Sequence, residues 1–189
     1  MKVIPLHHEE QKLIQLAIEN NRQAQQQLYS KFSSKMLGVC RQYIKDIHQA
    51  EDVMITAFMK VFVNLRNFEH KGSFEGWMRR IMVNECLTFL RANKTLIYVD
   101  DVRVSNYDEA DEEVEETWLN FNVQEVLDQL SEPYRLVFNL HILEDYSHQE
   151  IAEMLNISVS TSKTQLFRAK AKLKEIVLSK KKMTNEKQR

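Results

Sequence analysis

Glycine and proline are scarce: three glycines and two prolines serve 189 residues. An all-β chain needs many tight turns, and those turns need both residue types, so the shortage argues for a mostly helical fold. Cysteine is nearly absent too. Cys40 and Cys86 fall in helical patterns with apolar neighbours, which reads as buried free thiols of a reducing cytosol and gives no support to a disulfide framework. No apolar run reaches membrane-spanning length, and the N-terminus shows no leader-like apolar core with a small-residue cleavage site. The chain is therefore expected to be cytoplasmic, with no membrane insertion. His7, His8, His48, His70, His141 and His148 have no metal-ligand spacing with the cysteines, so no metal and no cofactor is assigned. Walker, G-x-S-x-G and H-E-x-x-H patterns are all missing. The chain does not read as an enzyme, and no small-molecule substrate is expected.

Charge is present but unevenly placed. The formal net charge is −1. From Val99 to Thr117 there are nine acids and one base, Arg103, a net of −8. From Ser158 to Arg189 there are ten bases and two acids, a net of +8. The acidic block has neither helical nor strand period and reads as a solvated linker. The basic block has the sign that phosphate binding requires. Its end, from Lys180 onward, reads as a frayed, solvated tail.

Residues 146–172 carry the sharpest local signal. Ser147 and Glu150 form an S-x-x-E capping box, which marks a helix start. Ile151, Ala152 and Leu155 follow at helical spacing. Asn156 is a residue that tolerates positive φ and predicts a left-handed stop. Ile157 is placed to plug the core. Ser158 predicts a second N-cap. The helix after it carries Lys163, Thr164, Gln165, Arg168, Lys170 and Lys172 around an inward stripe of Leu166, Ala169 and Leu173. This is the pattern of a helix-turn-helix, whose second helix enters the DNA major groove. Taken alone, the same pattern fits an ordinary helical hairpin with a solvated basic face.

The remaining periodicity predicts helices near 8–20, 21–44, 47–65 and 74–92, then 122–130, 132–144, 147–155 and 159–178. Leu28, Tyr29, Phe32, Met36, Leu37, Cys40, Tyr43 and Ile44 make the core stripe of the second helix. Val53, Ala57, Phe58, Val61, Phe62 and Leu65 make that of the third. In the fourth, Trp77, Ile81 and Leu87–Leu90 read inward, with Arg79, Arg80, Asn84 and Arg91 on the polar side. Phe74 and Trp77 are core aromatics before they are anything else.

Three blocks in order then resemble the extracytoplasmic-function (ECF) sigma factors of the sigma-70-type family. The first is Ala50-Glu51-Asp52-Val53 with Phe58 and Lys60. The second is Phe74, Trp77, Arg79-Arg80-Ile81, Asn84 and Arg91. The third joins Leu130-Ser131-Glu132-Pro133-Tyr134-Arg135, Val137-Phe138, Tyr146-Ser147, Glu150-Ile151-Ala152 and Thr161-Ser162-Lys163. The chain departs from the family pattern at Ile55-Thr56, where Gln-Glu is usual, at Thr88, where Asp is common, and at Ser160, where Gly often stands.

The resemblance implies an all-α fold of two small helical domains joined by an acidic flexible linker, divided as 1–94, 95–121 and 122–189. The first domain would bind core RNA polymerase through Glu51, Asp52, Val53, Phe58 and Lys60. It would open the −10 promoter element with His70, Lys71, Gly72, Ser73, Phe74, Trp77, Arg79, Arg80, Asn84 and Arg91. The C-terminal helix-turn-helix would read the −35 element with Ser160, Thr161, Ser162, Lys163, Thr164, Phe167, Arg168 and Lys170. The implied partners are core RNA polymerase and promoter DNA. The resemblance adds an anti-sigma factor as a further partner, to which no single residue points.

The residues agree with these roles on physical grounds. Glu51 and Asp52 can complement a basic partner, and the 68–74 loop mixes aromatic with polar side chains, as a pocket for an unstacked base needs. Arg79, Arg80 and Arg91 can hold phosphates, and the acidic linker could mimic a polyanion in a basic channel. The runner-up is a stand-alone helix-turn-helix regulator that acts without polymerase. Behind it comes an adaptor that uses only the acidic linker.

Overall fold

A computed structural model of the chain describes residues 6–93 and 123–187 and the side chains of 9–93 and 123–180. The acidic block and Trp118 lie outside the described residues. The chain divides into two compact units, Met1–Ala92 and Asn93–Arg189. Both are helical, and no strand occurs among the described residues.

The first unit contains α1 (Leu6–Ile18), α2 (Arg22–Tyr43), α3 (Ile47–Val63), a 3-10 turn (Leu65–Asn67) and α4 (Phe74–Ala92). Side-chain caps fix two of the helix starts. Asn21 Oδ1 accepts from the Ala24 amide at 3.0 Å, and Asp46 Oδ1 accepts from the Gln49 amide at 2.9 Å. Each satisfies an amide that has no partner within its own helix. α2, α3 and α4 pack against one another pairwise, and α1 lies on α2. Leu28, Phe32, Met36, Cys40 and Tyr43 form the buried stripe of α2. The stripe of α4 is Phe74, Met78, Met82, Cys86, Leu87 and Leu90. Trp77 and Ile81 were expected inward and are only half-buried, because the two methionines one position further on take the central place. Cys40 and Cys86 are buried free thiols. The hydrogen bond between the two thiols, together with burial, raises the Cys86 pKa well above its ordinary range, which suits an unreactive core group.

The second unit contains α5 (Val123–Leu127), α6 (Glu132–Phe138), a π-helical turn (Asn139–Leu143), α7 (His148–Leu155) and α8 (Val159–Lys187). α6 and α7 pack on α8 around Leu136, Val137, Phe138, Leu140, Ile151, Leu155, Ala169 and Leu173. Where the periodicity predicts one helix over 132–144, the chain widens after Phe138, with the Glu144 amide donating to the Asn139 carbonyl at 3.1 Å, five residues back. Asp145, at φ 58°, then turns the chain into α7. The expected frayed tail is also different, since the backbone stays helical to Lys187. No glycine or proline follows Val159, and Lys, Gln and Glu are good helix formers. No helix among the described residues is long and apolar enough to cross a membrane.

Candidate nucleic-acid interface

The helix-turn-helix forms as its caps dictate. The Ser147 side chain accepts from the Glu150 amide at 3.3 Å, and Glu150 Oε2 accepts from the Ser147 amide at 2.8 Å and its hydroxyl at 2.7 Å. Those bonds hold the Glu150 carboxyl below its usual range. Asn156 takes the left-handed conformation, φ 54° and ψ 50°, and ends α7. Ser158 Oγ accepts from the Thr161 amide at 2.9 Å and opens α8. At about 100° per residue, Ser160, Lys163, Thr164 and Phe167 share one face, flanked by Arg168 and Lys170. Lys163 and Phe167 are exposed, and Thr164, Arg168 and Lys170 are half-exposed. The opposite face, Leu166, Ala169 and Leu173, is buried. The arrangement presents a basic, hydroxyl-bearing ridge with an aromatic ring at its centre, the chemistry a major groove reads.

The first unit carries a cleft of about 340 Å³ at the 67–73 loop and the start of α4. Phe68 and Trp77 supply aromatic walls, with ring centroids 5.6 Å apart. Asn67, Glu69, Lys71, Ser73 and Arg80 supply polar edges. Gly72 takes φ 111°, a conformation that suits glycine and lets the loop turn over the cleft. Ser73 Oγ accepts from the Gly76 amide at 3.0 Å and caps α4. A Cβ on Gly76 would meet that same oxygen at 3.0 Å, so glycine keeps both cap and cleft open. Arg80, Asn84 and Arg91 are exposed and continue the Trp77 face of α4 along the helix.

A third surface runs along α3. Ile55, Met59 and Val63 are 51%, 63% and 78% exposed and recur every fourth residue, making an apolar stripe. Asp52 is exposed near its start and Glu51 half-buried. A groove of about 340 Å³ between α2 and α3 is lined by Tyr29, Ser33, Ser34, Leu37, Glu51, Met54 and Ile55.

Two family models match the chain where these surfaces lie. Sigma-70 region 2 matches residues 28–95, and sigma-70, region 4 matches residues 120–173. The ECF RNA polymerase sigma factor SigW of Bacillus subtilis is 27% identical over 156 residues, covering 76% of this chain and 83% of its own. The RNA polymerase sigma-H factor of Pseudomonas aeruginosa is 25% identical over 174 residues, covering 86% and 90%. The solved structure of CnrH in complex with the cytosolic domain of CnrY covers 90% of this chain and 97% of its own, at 21% identity and a TM-score of 0.49.

The chain belongs to the ECF sigma-70 family. It is an RNA polymerase sigma factor that directs promoter recognition.

Within this sigma factor the structure sorts the residues singled out by sequence. Lys71, Gly72, Ser73, Trp77 and Arg80 meet at the cleft. His70 is not part of its lining and lies on the Phe68 ring, centroids 4.6 Å apart. Phe74 is 2% exposed and stacks beneath Trp77 at 5.8 Å, so it supports the cleft without reaching it. Arg79 leaves α4 on a different side from Arg80 and donates to Gln42 Oε1 of α2 at 3.3 Å. Val53 and Phe58, expected at the polymerase, are 4% and 2% exposed, and Phe58 packs edge-on against Tyr29. Lys60 pairs with Glu85 of α4. In α8, Ser162 was expected to face DNA and is instead fully buried, bonded to His148 Nδ1 at 2.9 Å. Its position, four residues before Leu166 and seven before Ala169, puts it on the inward stripe.

Sequence reasoning did not single out Asn67, Glu69 and Gly76 at the cleft, or Met59 and Val63 on α3, and it named Ile55 only as a departure from the family pattern. A signal for the last three was present. α3 already has a full inward stripe, so a second apolar row spaced by four residues has no core to enter.

Proposed function

We propose that this sigma factor opens the −10 element in the cleft lined by Phe68 and Trp77 and reads the −35 element with the outer face of α8. The exposed cleft carries the proposal. A stand-alone regulator needs only a helix-turn-helix, whereas a space walled by two aromatics and edged by Asn67, Ser73 and Arg80 suits an unstacked base. Arg80, Asn84 and Arg91 take the strand's phosphates. Lys163, Thr164 and Phe167 take base edges, while Ser160, Thr161, Arg168 and Lys170 hold the duplex backbone. Core polymerase docks on Glu51, Asp52 and the apolar stripe Ile55–Met59–Val63, with Val53 and Phe58 as its buried support. An anti-sigma factor would act by covering that same stripe. The working units are 1–94 and 122–189, with the acidic segment 95–121 between them. The protein acts in the cytoplasm as an initiation factor without catalysis of its own.

Permanganate footprinting of unpaired thymines tests the cleft. Replacing residues 69–73 by a short Gly-Ser segment, or Trp77 by Ala, should leave −35 binding intact and abolish thymine reactivity at −10. Wild-type opening by both variants would remove the cleft from promoter melting.

A further inference from the structure

The two helices of the DNA-reading hairpin are joined by a part-buried hydrogen bond. His148 is the first residue of α7, and Ser162 lies one turn into α8. The His148 Nδ1 to Ser162 Oγ distance is 2.9 Å, and Ser162 is fully buried. His141, from the π-helical turn, stacks on His148 with ring centroids 4.4 Å apart and planes 15° from parallel. Its own Nδ1 lies 2.8 Å from the Tyr146 carbonyl oxygen. A carbonyl only accepts, so His141 Nδ1 carries a proton and donates.

The charged surroundings favour a neutral His148. Lys163 of α8 is a cation beside it, and the His141 ring covers its other face, so a proton on His148 would be met by charge and by burial. On its own helix, Glu150 is engaged by Ser147, while Glu144 and Asp145 belong to the turn that leads into α7. Burial, then His141, then Lys163 lower the pKa of His148. Neutral His148 can accept the Ser162 hydroxyl proton at Nδ1. Once protonated it can only donate, the serine hydroxyl must reverse, and a cation is placed between a histidine ring and Lys163.

We propose that His141 and His148 form a proton-sensitive latch on the recognition helix: neutral, it fixes α8 against α7 in its DNA-reading position, and protonated, it releases that position and weakens −35 binding. The proposal rests on the reading of α8 as the −35 helix. Its sign is the opposite of the general one, since added positive charge otherwise tightens DNA binding. It also bears on stability without DNA. Because the folded chain holds His148 below its ordinary range, the unfolded chain takes up the proton first as pH falls. Stability is whole above the ordinary histidine range and is lost as pH falls through it toward the folded value.

The test uses the full chain and a fluorescent duplex selected by that chain from a random library at pH 7.5. Anisotropy titrations at constant ionic strength should show affinity falling by about threefold or more between pH 7.5 and 5.5. His148→Asn keeps a bond to Ser162 without a titrating ring and should show no such fall. Ser162→Ala should bind more weakly at pH 7.5 and lose the pH response. Constant or rising affinity in the native chain, or an equal fall in His148→Asn, would overturn the latch. Failure to select any duplex would count against the α8 reading alone. Thermal melts without DNA then decide the latch: the native Tm must drop more on acidification than that of His148→Asn, and equal drops overturn it.

Discussion

Lys163 and Arg168 leave the same helix for different parts of a duplex. Lys163 is exposed at the centre of the outer face, which the proposed function sets against base edges, while Arg168 is half-exposed on its flank, where the same pose would bring phosphates. Lys163→Ala should therefore relax base preference at one or two −35 positions, by roughly 1–3 kcal/mol of discrimination. Arg168→Ala should weaken binding evenly across sequences and flatten its salt dependence. Selection from a promoter library separates the two patterns. A second pair of neighbours makes the same kind of distinction. Phe58 is 2% exposed and Met59 63%. Phe58→Ala should cost about 3–5 kcal/mol of stability, the usual result of emptying an aromatic core site. Met59→Ala should leave the denaturation midpoint almost unchanged and weaken polymerase binding. Equal effects of the two on stability would contradict the assignment of the α3 stripe. At this scale the sequence was a good guide to caps and stops, because Ser147, Glu150, Asn156 and Ser158 act on backbone groups within a few residues of themselves. It was a poor guide to Ser162, while for Val53 and Phe58 the helical spacing that placed them in the core was the better guide than the resemblance that placed them at the polymerase. A motif match marks which residues belong together, and only helical phase against a neighbouring element separates those that touch a partner from those that hold them.

α3 is one helix serving two surfaces. Its inner stripe closes the core with α2 and α4, and its outer stripe, ending near Glu51 and Asp52, faces outward. Reversing both acids to arginine, Glu51→Arg with Asp52→Arg, should leave the helical circular dichroism unchanged, since surface charge changes usually cost within about 0.5 kcal/mol. Holoenzyme assembly should be lost, because like charges would then meet across the interface. Normal assembly by the double variant would take these acids out of it. The helices themselves were legible from periodicity, including α2, α3 and α4 to within two residues. The π-turn at Asn139–Leu143 was not. Its cause is tertiary: the widened turn buries Asn139 and Leu140 and brings His141 onto His148, a contact no local pattern encodes. The cleft was half legible. The loop's aromatic and polar composition pointed to it, but the inclusion of Asn67, Glu69 and Gly76, and the departure of Arg79 toward Gln42, depend on how the loop closes over the start of α4.

At the scale of the whole molecule, one chain carries a helix with a basic outer face, a cleft lined by aromatics and an exposed apolar stripe. Neither unit accounts for promoter recognition by itself. The helix-turn-helix alone would make a regulator, and the cleft alone would bind single strands without choosing where to open them. The net charge of −1 hides this division, because the acidic block of −8 and the basic end of +8 nearly cancel. The central claim is that both units act together on core polymerase. Run-off transcription from a fragmented genomic template, with core RNA polymerase of the source organism and sequencing of the 5′ ends, addresses it directly. Adding the full chain should produce start sites that share one −35 and one −10 sequence at fixed spacing, and the Trp77→Ala and Lys163→Ala variants should each depress them. The same 5′ ends with and without the chain would contradict the account.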